Sequence, residues 1–132
     1  MIDVETDVFD YVYPSVAPLV PSGCFKSVYV PNPSKFPFAT LMEMDNVTSQ
    51  PHRSTARDEE YAVVTYEANV YATKKPDCRR VMNALDTAMT RLGFARLSSQ
   101  FIPNLADNTL FRYTARYQAI AGADKVIYRR SR

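Results

Sequence analysis

The sequence has no tryptophan, a single histidine, three glycines and two cysteines in 132 residues, and each scarcity narrows the functions open to it. A Ser-His-Asp or Cys-His centre needs a histidine oriented by neighbours on a rigid scaffold. His52 stands between Pro51 and Arg53 in a polar stretch and reads as a solvated loop residue. A zinc site takes three or four ligands from Cys, His and carboxylates, and one histidine with the distant Cys24 and Cys78 does not supply a usual set. Phosphate-binding loops cluster their glycines, whereas Gly23, Gly93 and Gly122 lie far apart, each at an expected turn. The run Asp58-Glu59-Glu60 reads as a solvated strand end, although carboxylates distant in sequence remain free to meet in space. No catalytic residue, cofactor or metal ligand is assigned, and the chain is expected not to be an enzyme.

Long apolar runs are missing as well. No window approaches the roughly 18 apolar residues of a membrane span, so no membrane segment is expected. The acidic start, Met1 to Glu5, lacks the basic-then-apolar plan of a signal peptide, which makes a cytoplasm the expected place of synthesis. In that reducing setting Cys24 and Cys78 are expected as free thiols. Nor is there an excess of one charge: 16 Lys plus Arg against 14 Asp plus Glu gives +2, too near neutral for a dedicated nucleic-acid binder.

What the sequence does have is tyrosine and alternation. Nine Tyr and seven Phe suit interfaces, because Tyr joins apolar area to a polar tip, and they suit strands equally. With 46% hydrophobic residues, one domain over residues 1–132 is expected. Val4, Val8, Tyr11 and Val12 predict an N-terminal helix from residue 3, its front loaded with acids that suit the helix dipole and its end near Pro14. Short strands follow at 24–30 and 36–44, and then a polar run with no apolar period at 45–58, expected as an extended loop or arm. Residues 59–73 alternate strictly, so one face packs and the other is exposed.

Pro76 and Asp77 start a long helix with Val81, Ala84, Leu85, Ala88, Met89 and Leu92 as its buried stripe, closed by Gly93 as a left-handed cap. Strands are expected again at 94–101, 109–121 and 125–128, before a flexible basic tail at 129–132. The expected fold is α+β: one mainly antiparallel or mixed sheet of four to six strands, a long helix on one face, and the N-terminal helix. Arg112 and Arg116 share a strand face close to several Tyr, which fits either a nucleic-acid groove or a protein interface.

Several segments together carry a family resemblance. They are YAVVTYEANVYA at 61–72, a Lys-Lys turn and helix ending Leu92-Gly93-Phe94, IPNLAD at 102–107, YTARY at 113–117, and Ile127-Tyr128-Arg129-Arg130. Their order and spacing, from about residue 36 to 130, resemble the small proteins of the head-to-tail module of long-tailed phages (siphophages) and prophages of Gram-positive bacteria. Those proteins are described as minor capsid, head–tail joining or tail-terminator proteins. The resemblance implies a tail-terminator-like fold that forms a homo-oligomeric ring, commonly a hexamer. Such a ring caps the tail tube protein and offers a docking surface to the head–tail connector or neck proteins. DNA would meet it only in passing through the lumen, and its place would be the neck or tail top of the virion, after assembly in the host cytoplasm. The resemblance also makes residues 45–58 a hairpin or arm ordered against a neighbouring subunit or the tube, with His52, Arg53 and Arg57 in that contact, and sets Arg112 or Arg116 towards the lumen. The alternatives are a head-side joining or minor capsid protein bound to the connector, and a small nucleic-acid-binding protein.

Overall fold

Strict alternation over residues 61–72 becomes the middle strand of the sheet. In the computed structural model, which describes residues 1–30, 33–48, 61–103 and 109–128, β3 spans Tyr61–Ala72. Its even-numbered residues, Ala62, Val64, Tyr66, Ala68, Val70 and Ala72, are at most 1% exposed, and the odd-numbered Asn69 is buried as well. β5, Phe111–Gly122, runs antiparallel to β3 in unbroken register from Tyr61 opposite Gly122 to Ala72 opposite Phe111. That register sets Ala115, Tyr117, Ala119 and Ala121, all buried, beside the buried set of β3.

Four strands extend this pair. β2, Phe38–Thr48, lies antiparallel to β3, and β4, Ala95–Ile102, lies antiparallel to β5. β1, Phe25–Lys26, adds to β2 as the parallel pair that makes the sheet mixed. β6, Ile127–Tyr128, pairs with Ile120 and Ala121 of β5, past the end of β4. The order is β1-β2-β3-β5-β4.

Two helices cover one face. α2, Lys75–Leu92, has Pro76 in its first turn, where a missing N–H leaves no intrahelical bond unmade. It ends at Gly93, whose φ of 116° is the left-handed region that glycine enters without strain. The Gly93 and Phe94 N–H groups both donate to the Met89 carbonyl, at 3.2 and 3.0 Å, and so satisfy the frayed end. Cys78, Val81, Met82, Leu85, Ala88 and Met89 of α2 are buried, and the helix packs on β3 and β5. α1, Glu5–Val16, buries Val8, Val12 and Val16 in line with Val4 and packs against both α2 and β2. The result is the expected α+β architecture, with its core between the two helices and the sheet.

Sequence and structure differ at several boundaries. Pro14 sits inside α1 and does not stop it. The carbonyl that loses its partner belongs to Asp10, an exposed residue, so water can take the place of the missing N–H. Helical winding then continues as a 3-10 turn over Ala17–Leu19. The strand expected at 24–30 shrinks to Phe25–Lys26, and Val28 is 59% exposed. Four residues of the arm expected at 45–58 are instead strand: Asp45 to Thr48 remain in β2, opposite Thr65 to Ala62, after a bulge between Glu43 and Asp45. Backbone pairing to β3 holds these residues and needs no apolar period. The rest of that segment, residues 49–58, and the tail 129–132 lie outside the described residues. In α2, Ala84 and Leu92 are only half-buried, while Cys78 and Met82 join the stripe.

Leu85 is fully buried and Leu97 is 53% exposed, so their alanine variants should separate core from surface. Leu85→Ala is expected to cost about 2–5 kcal/mol and Leu97→Ala roughly 0.5 kcal/mol or less, read from urea denaturation midpoints at unchanged slope.

Candidate functional site

Chemistry-bearing side chains gather in two places, the helix-free face of the sheet and the outer side of β2. The first follows from register. Alternation sends Thr65, Glu67, Asn69 and Tyr71 of β3 to the face opposite the helices, and the β5 pairing sets Gln118, Arg116, Thr114 and Arg112 against them. Arg112 Nε donates to Asn69 Oδ1 at 3.0 Å, and Asn69 Nδ2 donates to Glu67 Oε1 at 3.1 Å. Glu67 Oε2 takes the Arg116 guanidinium at 3.0 Å. The Arg112 guanidinium lies over the Tyr71 ring, 5.7 Å from its centre, and Gln118 Nε2 donates to Thr65 Oγ1 at 3.1 Å.

The outcome is a ladder: Tyr71, Arg112, Asn69, Glu67, Arg116. It fixes both arginines, the two site candidates that the described residues include. Asn69 is 3% exposed, and its bonds on both sides meet the cost of burying an amide. Glu67 neutralises one of the two positive charges, so the face is only weakly basic and its arginine donors are partly committed. That arrangement favours a polar wall over a cationic groove built to grip a phosphate backbone. Burial raises the Tyr71 hydroxyl above its ordinary pKa, and Arg112 opposes the shift. Glu67 and Asn69 were missed from sequence because alternation gives the face of each residue but not the register that makes them partners.

The second cluster lies at the outer side of β2. Tyr66, the register partner of Glu43 across the β2–β3 pair, donates its hydroxyl to Glu43 Oε1 at 3.1 Å. The Glu43 N–H points outward and donates to Glu5 Oε2 at 3.4 Å, and Asn46 Nδ2 donates to the Ile2 carbonyl at 2.7 Å. The start of α1 is thereby fastened to the edge of β2. Burial holds the Glu43 carboxyl above the usual carboxylate range, with Glu5 and Asp3 adding to the shift and the Tyr66 and Asn46 hydrogen bonds opposing it. The Tyr66 hydroxyl is pushed up by burial and then by Glu43.

The thiols have structural surroundings. Cys24 and Cys78 are free and buried. The Cys78 thiol donates to the carbonyls of Phe111 and Val70, at 3.4 and 3.6 Å, and burial pushes its pKa up to about 11. A thiol held protonated is a poor nucleophile. Among the described residues no three of His, Cys, Asp and Glu are gathered as a metal ion would need, and no helix is long and apolar enough to cross a membrane. His52, Arg53 and Arg57 lie outside the described residues.

A raised carboxyl pKa is a liability to the folded state above the ordinary value near 4.5, because the folded protein holds the Glu43 proton more tightly than the unfolded chain does. Stability from this group is therefore full below that pH and is lost as pH rises through the folded pKa. Glu43→Gln keeps an acceptor for Tyr66 and removes the charge. It should melt at a higher temperature than the parent at neutral pH, with the difference vanishing by about pH 4 in a series of thermal scans.

No protein-family model matches the sequence, and no curated protein does. The fold does match a solved chain from a structure titled "Virion of native gene transfer agent (GTA) particle". The TM-score is 0.60 at 14% identity, over 84% of this chain and 91% of that one, so the two chains share a fold along nearly their whole lengths.

Proposed function

We propose that this chain is a structural, non-catalytic subunit of a phage-like virion, a ring-forming tail terminator at the head–tail interface. One observation carries the reading: the fold is shared, nearly end to end, with a chain solved within a gene transfer agent virion. The sequence resemblance to head-to-tail proteins, which rests on different data, points the same way. In this reading the ring caps the tail tube and presents its other side to the connector. The helix-free face, with Arg112 and Arg116 held by Asn69 and Glu67, is suited to a lumen through which DNA must slide. Partly neutralised arginines attract the phosphate backbone without gripping it. To the polar segment between β2 and β3, with His52, Arg53 and Arg57, we assign contact with the tube.

Native mass spectrometry and negative-stain imaging of one purified sample test this directly, together with a tube-polymerisation assay. A closed ring of defined number that halts tube growth is the expected result. Binding to the connector with no effect on the tube would move the protein to the head side of the joint. A chain that neither assembles nor binds tube or connector protein would overturn the virion reading.

A further inference from the structure

Stretches at the two ends of the sheet carry opposite charge. On the outer side of β2, beyond Ala39 and Thr40, no further strand is paired among the described residues. Glu43 stands there with Asp3 and Glu5 from the start of the chain, close enough for both to act on it, and Asp45, opposite Thr65 past the bulge, adds a carboxylate on the other face of the same strand. No lysine or arginine among the described residues pairs with any of the four. Met44 and Val47, on the same stretch, are 48% and 52% exposed.

β4 is the opposite end, and among the described residues it too has no strand on its outer side. It presents Arg96, and Leu97 at 53% exposure. Above it, Lys75 and Arg79 of α2 lie over the β4 residue Phe101, 4.7 and 5.1 Å from the ring centre. The acids at this end are engaged: Asp86 by Arg96 at 3.2 Å, and Asp77 of α2 by Arg80 at 3.5 Å. Lys26 of β1 lies further along the β2 end, beside Thr40. The stretch of β2 from Glu43 to Val47 thus combines unpaired carboxylates with exposed apolar side chains, and the β4 end combines the cations Lys75 and Arg79 with Leu97.

We propose that copies of this chain join head to tail, the carboxylate edge of β2 in one copy docking on the basic β4 edge of the next. A two-fold contact through either edge would set like charges together, which opposes association. The heterologous contact sets carboxylates against Arg79 and Lys75, and Met44 and Val47 against Leu97. It leaves one free edge of each kind on every pair, so it repeats until it closes. Because Glu5 already occupies the outward N–H of Glu43, side chains carry the contact and not an added rung of the sheet. The inference rests on the ring reading only in taking a second copy as the occupant.

Two charge-swapped variants test it, both altered at exposed positions: Asp45→Lys with Val47→Lys, and Arg79→Glu with Leu97→Glu. Circular dichroism and thermal melting confirm that each is folded, and native mass spectrometry reads the assemblies. Each variant alone should be monomeric, with self-association at least about tenfold weaker than in the parent. Mixed in equal amounts they should assemble again, with the two variants alternating and even subunit numbers only. The parent assembly should weaken from about 0.01 to about 1 M salt, as the screening length falls from roughly 30 to 3 Å. A parent ring that survives both variants sinks the edge contact and leaves the ring reading standing. Open chains of parent that both variants break would keep the contact and sink the closed ring. A parent that remains monomeric at the highest concentration it tolerates overturns the contact, and the ring reading then depends on the tube assay alone.

Discussion

Tyr66 and Tyr117 lie directly opposite each other on the two central strands, and the architecture is arranged around that pair. Both are buried to within 1% of fully, on a stretch whose other buried residues are mostly Ala and Val. Ala68 faces Ala115, Ala62 faces Ala121 and Val64 faces Ala119, so over residues 62–68 and 115–121 the central strands set two large side chains among small ones. Alanines allow α2 to approach closely, and the tyrosines fill the space it leaves. Each ring must then bring its hydroxyl to a partner, since a buried hydroxyl without one is costly. Tyr66 reaches Glu43 at 3.1 Å on one side, and Tyr117 reaches Asp86 at 2.8 Å on the other. Asp86 in turn holds Arg96 of β4. The central pair is therefore tied to β2 at one end of the sheet and to α2 and β4 at the other.

The same ties set the electrostatics of the surface. Glu43 stays at the outer side of β2 because Tyr66 needs its oxygen, even though burial, Glu5 and Asp3 disfavour its charge. Asp86 stays beside β4 because Tyr117 needs it, and burial and that bond hold the Tyr117 hydroxyl above its ordinary pKa. Phe94, edge-on to Tyr66 at 5.3 Å, carries the packing on to the turn that follows α2.

Elements whose pattern is local were legible in the sequence. The alternation of β3 and β5 located the faces of both strands, and Pro76 and Gly93 marked the ends of α2, because those signals depend on neighbours in the chain. Legibility failed where a distant partner decides. Asp45 to Thr48 have no apolar period and are held as strand by β3, while Val28 has the right character for a strand and, among the described residues, no strand paired beside it. Pro14 signals a stop or a kink in sequence, but the cost of a proline depends on whether water can reach the carbonyl it orphans, which the sequence does not show. Of the site candidates, Arg112 and Arg116 were placed on the correct common face, yet their partners Asn69 and Glu67 came from a register that no local pattern encodes.

The alanine stripe bears on how such a chain can change over time. Ala62, Ala68, Ala72, Ala115, Ala119 and Ala121 are all within 1% of full burial, and each is required only to be small. Size is a loose demand on chemistry: glycine meets it, and so does serine where a carbonyl can take its hydroxyl, while one added methyl group pushes against the packed helix. Substitutions can therefore accumulate across the helix-free face and both sheet ends without disturbing the core, provided the stripe stays small and the two tyrosines keep their acceptors. A fold built this way can outlast recognisable sequence, and its kin are better sought by shape than by alignment.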